Sequence, residues 1–280
     1  MLNNQKIGFI GAGNMASSLI GGLIHSGVSA KSIYAFDADS LRLKDTVQKF
    51  LISPATDNAS LVCAVDICVI ALKPQVMKKV LTPLIQTFCA SKPLVLSVAA
   101  GIDTKNLESW TGNSCPIIRV MPNTPALIGY GASGLFTDIK SPNAASEAQK
   151  QLAESIVKAV GVTAWVNNEE QIDTITALSG SGPAYFFYMM EVLVKAAVKN
   201  GLSSADAKKL CIQTALGAAN MAQNQTTELD VLRKNVTSPG GTTEQGINTM
   251  QQHHFEQLMQ DTVNAAQERS IELAKTLGDK

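Results

Sequence analysis

Aromatic side chains are scarce in this 280-residue chain, at 5%, and charged ones make up only 16%. Lys+Arg and Asp+Glu each total 23, so the formal charges cancel. With no long basic run and few rings to stack on bases, nucleic acid is not the expected main partner. Long apolar runs are missing too. The longest, LVCAVDICVIAL, is interrupted by Asp66 and is too short to span a bilayer. The opening MLNNQKIGFIGAGN has no uninterrupted apolar stretch and no cleavage signal, so a secretory peptide is not expected. The five cysteines (Cys63, Cys68, Cys89, Cys115, Cys211) form no C-x-x-C pair. The three histidines, His25, His253 and His254, lack zinc-finger or catalytic spacing. No metal site is expected. Scattered, mostly apolar-flanked thiols fit a reduced core and a cytoplasmic location.

The chain does have apolar residues, at 45%, enough to bury a large core. Its length suggests about two domains of roughly 150 residues. In the first half, strand-like and helix-like patterns alternate. KIGFI (6–10) runs into Gly11, a helical pattern follows from Asn14 to about Ser26, and Gly27 suits a helix stop. IYAF (33–36) is a second strand, and SLRLKDTVQKF reads as an amphipathic helix. DICVIAL (66–72) is a third strand, closed by Lys73-Pro74 and followed by a helix over about 75–88. PLVLSVAA (93–100), a short helix near 103–110 and PIIRVMPN (116–123) complete the series. Such alternation indicates a parallel sheet with helices on both faces. GYGASGLFT (129–137) and GVTAWVN (161–167) are candidates for added edge strands, with a helix between them in SPNAASEAQKQLAESIVKAV.

After about residue 167 the strands stop. A long apolar helix with Pro183 in its first turn, then SSADAKKLCIQTALGAANMAQ, TELDVLRKNV and one or two helices over 243–276 make an all-helical half. These helices carry apolar residues on more than one face. They require burial on several sides, in a bundle or against a second subunit. The expected fold is α/β: a Rossmann-type doubly wound parallel sheet over 1–166, followed by an all-helical dimerisation domain over 167–280.

Gly11-Ala12-Gly13-Asn14-Met15-Ala16 matches G-x-G-x-x-G/A between a strand and a helix. There Gly11 permits the tight turn, Gly13 lets a pyrophosphate reach the backbone, and Ala16 keeps helix and strand close. Asp37 ends the second strand, where an acid binds the ribose 2′-OH and repels the 2′-phosphate of NADP. The next residues, Ala38, Asp39 and Ser40, bring no arginine to offset it. On charge alone NAD(H) is favoured. Three other strand ends carry turn chemistry: Leu72-Lys73-Pro74, Ala99-Ala100-Gly101 and Met121-Pro122-Asn123-Thr124-Pro125. Lys73 either contacts the cofactor or is solvated. Asn123 and Thr124 either donate near the nicotinamide or stabilise the turn. In the helical half, TSPGGTTEQG (237–246) breaks the helical pattern and restarts it at once. Thr242 or Thr243 is placed to cap the new helix, and a Gly-rich turn into a helix N-terminus suits an anion.

GFIGAGNMA, ALKP, VAAGI, RVMPNTP, ALSGSGPAYFF and NVTSPGGTT, in this order and spacing, make the chain resemble the pyrroline-5-carboxylate reductases from about Lys6 to Leu277. MPNTP, SGSGPA and SPGGTT together carry the resemblance; the glycine fingerprint alone does not. It implies hydride transfer from NADP(H) or NAD(H) to the cyclic imine 1-pyrroline-5-carboxylate, giving L-proline. It also implies dimers of interlocked helices, often built into rings. It assigns the cofactor to Ile10, Gly11, Ala12, Gly13, Asn14, Met15, Asp37, Asn58, Leu72, Lys73, Pro74 and Ala100. Asn123 joins them from its strand-end position. It assigns the substrate to Glu169, Asn235, Ser238, Gly240, Gly241, Thr242 and Thr243, with backbone N–H groups on the carboxylate and the Thr243 hydroxyl facing the ring nitrogen. At Asp37 the chain departs from many relatives, which have a small or neutral residue there; this tilts the expectation towards NAD(H).

Two rivals fit parts of the pattern. A β-hydroxyacid dehydrogenase also joins a Rossmann domain to a helical domain with a catalytic lysine. Here Lys195 and Lys199 follow SGSGPA, but no Asn-Asn stands at the required distance and apolar residues surround Lys195. A non-catalytic dinucleotide sensor would be expected to have lost the SPGGTT turn, which is intact.

Overall fold

The computed structural model describes residues 2–224 and 226–278. Its elements run β1 (Ile7–Ile10), α1 (Asn14–His25), β2 (Ile33–Phe36), α2 (Ser40–Phe50), β3 (Ser53–Pro54), α3 (Asn58–Ala64) and β4 (Ile67–Ile70). Then come α4 (Pro74–Leu81), α5 (Ile85–Ser91), β5 (Leu94–Ser97), α6 (Thr104–Trp110), β6 (Ile117–Met121), β7 (Gly131–Phe136), α7 (Glu147–Lys158) and β8 (Gly161–Trp165). Helices follow: α8 (Glu170–Ile175), a π-helical turn (Thr176–Gly180), α9 (Gly182–Lys199), α10 (Ser204–Gln223), α11 (Leu229–Asn235), α12 (Thr242–Gln252) and α13 (Phe255–Gly278).

The described residues up to Ser181, with those from Ala265 on, form one compact unit; Gly182–Asn264 forms another. The first unit is an eight-stranded sheet in the order β3-β2-β1-β4-β5-β6-β7-β8. Every neighbouring pair is parallel except β6 with β7. Strand order reverses between β1 and β4, whose ends are in register at Ile10 and Ile70. In open α/β sheets ligands bind at such a switch point, beyond the carboxyl ends of the strands.

The strands form because apolar residues fill both faces. Along β4, Ile67 and Val69 enter one core with Leu19 and Leu23 of α1 and Ile156 of α7. Cys68 and Ile70 enter the other with Leu61 of α3, Met77 of α4 and Phe88 of α5. The period of two is that of a strand buried on both sides. Burial pushes the Cys115 thiol up to about 11, and Cys68 higher still. Both are packing groups at neutral pH.

The 75–88 segment is two helices rather than one. A 3-10 turn over Thr82–Leu84 divides them, because Pro83 has no N–H to continue the ladder. The edge strand β3, helix α3 and helix α8 lie outside the expected elements.

The second unit buries little on its own. Phe186, Phe187 and Tyr188 of α9 are about two-thirds exposed, and Leu210 and Leu216 of α10 about half. Between these two helices lies an apolar cavity of about 730 Å³ lined by Phe186, Met189, Leu193, Leu210 and Cys211. Contiguous apolar surface of this kind marks an interaction face.

Candidate active site

The glycine turn has the geometry its sequence requires. Gly11 sits at φ +97°, where a Cβ would lie 2.6 Å from the Ala71 carbonyl oxygen. Gly13 begins α1, and a Cβ there would meet nothing within 4 Å. One glycine is needed by the turn; the other leaves space in front of a helix N-terminus, a ready place for a phosphate. Ala16 is fully buried where α1 crosses the sheet.

Asp37 is nearly buried and holds this turn. Its Oδ2 accepts from the Ala12 amide at 2.8 Å, and its Oδ1 accepts from Asp39 N at 2.8 Å. Ala38, Asp39 and Ser40 bring no arginine to Asp37, but a residue further on does. Arg42, in the first turn of α2, reaches Asp37 at 3.3 Å and Asp39 at 3.0 Å. The group Asp37, Asp39 and Arg42 remains net negative.

The other cofactor candidates fall at neighbouring strand ends. Leu72 abuts Gly11, with Cδ2 3.2 Å from where its Cβ would stand. Lys73 precedes α4 in extended conformation and is exposed, and Pro74 is the first helical residue. Asn58 opens α3, and its Oδ1 is buried with no hydrogen-bond partner. Such an orphan acceptor suits a ligand donor. Ala100 is exposed in the turn that follows β5. Ile10, Ala12, Asn14 and Met15 belong to β1, the turn and α1. Open space before Gly13 and the orphan Asn58 oxygen both fit a bound dinucleotide.

Asn123 takes the second of the two roles left open for it. Its Nδ2 donates to the Ser179 carbonyl at 3.0 Å and its Oδ1 accepts from Ala132 N at 2.9 Å. The amide bridges β7 and the π-helical turn and so stabilises the strand-end turn.

Glu169, assigned by resemblance to the substrate, is also engaged by protein. Its Oε1 accepts from Thr104 N at 2.8 Å and from Arg119 Nη1 at 2.9 Å; its Oε2 accepts from Thr104 Oγ1 at 2.7 Å. Arg119 is 3% exposed. Neither Thr104 nor Arg119 was among the expected site residues. An arginine inside the apolar strand PIIRVMPN was the available signal, since a buried guanidinium demands a partner.

The remaining candidates lie in the second unit. Asn235 ends α11, and the turn after it returns the chain into α12. Gly240 stands at φ +72°. The helix starts one residue earlier than a Thr cap requires. Gly241 is the N-cap, so Thr242 and Thr243 are the first two helical residues and neither caps by its side chain. Gly240 N donates to Glu244 Oε2 at 2.8 Å and Gly241 N to the Ser238 carbonyl at 2.9 Å. Those two amides are therefore occupied. The amides of Thr242 and Thr243 have no carbonyl four residues back within the helix and point out of its positive end. Ser238, Thr242 and Thr243 are exposed around them.

The family model described as pyrroline-5-carboxylate reductase dimerisation matches residues 169–273. The model described as NADP oxidoreductase coenzyme F420-dependent matches residues 6–101. The pyrroline-5-carboxylate reductase of Pseudomonas aeruginosa is 46% identical over 279 residues, covering 99% of this chain and 100% of that one. A solved structure of a pyrroline-5-carboxylate reductase from Coxiella burnetii superposes with a TM-score of 0.92 at 40% identity, covering 97% of this chain and 99% of that one. The Plasmodium falciparum enzyme, solved with NADP bound, gives a TM-score of 0.82 at 29% identity, covering 97% and 99%. The chain belongs to the pyrroline-5-carboxylate reductase family, NAD(P)H-dependent oxidoreductases of proline biosynthesis, and its helical half is that family's dimerisation domain.

Proposed function

We propose that this chain reduces 1-pyrroline-5-carboxylate to L-proline with its cofactor on the first unit's strand ends and its substrate on the Ser238–Thr243 turn. The observation that carries the substrate half is the first-turn amides of Thr242 and Thr243, which open α12 and have no carbonyl partner within it, while the Gly240 and Gly241 amides are occupied. They suit a carboxylate, which the 11-residue helix α12 also attracts through its dipole. Asn235 and Ser238 border the same turn and add side-chain donors.

Reducing a cyclic imine requires a hydride on carbon and a proton on nitrogen. The Gly11–Met15 turn, Asp37, Asn58, Leu72–Pro74 and Ala100 would hold a nicotinamide cofactor, which would supply the hydride. The protonated imine is already electrophilic, so the protein's task is placement, worth several kcal/mol of the barrier. The Thr243 hydroxyl orients the ring nitrogen and helps hold its proton; no stronger acid is required. Thr243→Ala should lower kcat about tenfold or more and leave cofactor affinity unchanged, with Thr243→Ser recovering much of the rate. Loss of cofactor binding in Thr243→Ala would instead make the residue structural.

Asp37 favours NADH over NADPH in this reading. Arg42 is pinned between two carboxylates, and the group it joins stays net negative where a 2′-phosphate would sit. The hydroxyacid dehydrogenase alternative is disfavoured by Lys195, which is exposed and paired with Glu191. That hydrogen bond raises its pKa above the ordinary lysine value, opposite to what a lysine base requires. Exposed apolar faces on α9 and α10 support a homodimer, and the resemblance extends this to a ring of dimers. Free cysteines support a cytoplasmic location. Among the described residues no helix is long and apolar enough to cross a membrane.

A further inference from the structure

Glu169 gathers three hydrogen bonds from two elements that are far from it in sequence. Thr104, the first residue of α6, lies three positions beyond Gly101, which closes the Ala99–Gly101 turn at φ +72°. Both its amide and its hydroxyl donate to Glu169. Arg119 comes from β6 in the sheet, paired with β5 at Ser97 and with β7 at Phe136. It is 97% buried, and a rigid strand fixes where its guanidinium points.

Glu169 is also the residue before α8, and the chain beyond it sets the opposite wall of one cavity. Through α8 and the π-helical turn it leads to Thr176 and Ser181. These two line a cavity of about 420 Å³ together with Pro74, Ala100 and Gly101. Midway, Asp173 accepts from Ser270 Oγ at 2.6 Å, which braces α8 from its other side. One carboxylate thus ties the cofactor turn, the sheet and the segment facing that turn. A π-helical turn stands where the last of these meets the cavity, an irregularity that recurs at functional sites. An apolar cluster would pack as densely as the ion pair, but it would not fix an amide and a hydroxyl in one place.

We propose that Thr104, Arg119 and Glu169 are positioning residues for the nicotinamide cofactor, and that Glu169 acts on the Ala99–Gly101 turn rather than on the substrate. The proposal rests on the reading that Ala100 faces the cofactor. The geometry assigns the directions of effect. Loosening the Thr104–Glu169 link lets the turn shift and weakens cofactor binding, while the substrate turn of the second unit keeps its own hydrogen bonds.

Glu169→Gln leaves Arg119 buried beside a neutral partner and risks unfolding, so Thr104→Val is the first variant. It removes the hydroxyl bond and keeps the ion pair. The measurements are KM for NADH and NADPH, KM for the imine, and cofactor Kd from reduced-nicotinamide fluorescence. Thr104→Val should raise cofactor KM and Kd about tenfold, the loss of one hydrogen bond to a charged group, with imine KM within about twofold of the parent. Thr104→Ser should restore the parent values. A rise in imine KM with cofactor KM unchanged would overturn the proposal and return Glu169 to the substrate. Unchanged KM values with only a lower Tm would overturn it as well. A parallel variant, Ala100→Leu, separates the two readings. It should block cofactor binding at an exposed position; if binding survives, the cofactor reading of the turn fails and the proposal falls with it. If Ala100→Leu blocks binding and Thr104→Val changes nothing, the positioning role alone is wrong.

Discussion

Asp37 does two jobs with one carboxylate, and the second explains how the first is held in place. It accepts from the Ala12 amide inside the glycine turn, and the proposed function has its charge face the ribose edge. Replacing it by serine removes a negative charge and leaves Arg42 partly released. Asp37→Ser should shift the NADPH-to-NADH ratio of kcat/KM towards NADPH by about tenfold, as the loss of one charge contact predicts. An unchanged ratio would mean that Asp37 serves the turn alone. Asp37 was readable from its position after a strand, because strand ends are visible as sequence patterns. Arg42 was not, because its reach back to Asp37 depends on the first turn of α2. At Asn123 the strand-end position was legible but not the protein partners of the amide, Ala132 and Ser179, which are set by tertiary contact.

The glycine turn is the element whose sequence and conformation agree most closely. Gly11 is at φ +97° with the Ala71 carbonyl behind it, so any side chain meets both a backbone penalty and a clash. Gly11→Ala should cost about 1–2 kcal/mol from the backbone alone and more from the contact, read as a lower Tm with weakened cofactor binding. An unshifted Tm would show that the turn can relax away from β4. Most strands and helices were legible because their apolar residues repeat with period 2 or 3.6. What escaped was set by single residues or by tertiary contact. Pro83 splits one expected helix in two. The two-residue strand β3 exists through its pairing with β2 and carries no pattern of its own. At α12 the helix begins at Thr242 with Gly241 as N-cap, because the chain leaves Gly240 in the left-handed region and Glu244 reaches back to its amide. The break and restart of the helical pattern at SPGGTT was legible, but not which of its amides find protein partners.

At the scale of the whole chain, the first unit carries the glycine turn and the residues that hold it, and the second carries the Ser238–Thr243 turn and the exposed apolar helices of the dimerisation domain. The chain beyond Ala265 clusters with the first unit, with Ser270 and Gln267 bonding to Asp173 and Thr174 of α8. No local pattern announces that return, since α13 is one continuous helix across it. Turnover needs both cofactor and imine bound, so the reaction itself is the most direct probe of the proposed function. The decisive measurement is the oxidation of NADH and NADPH, followed in parallel at 340 nm with 1-pyrroline-5-carboxylate as substrate. The account predicts turnover to proline with both cofactors and a higher kcat/KM with NADH. Absence of turnover with either, under conditions where cofactor binds, would contradict it and leave the Ser238–Thr243 turn without a substrate.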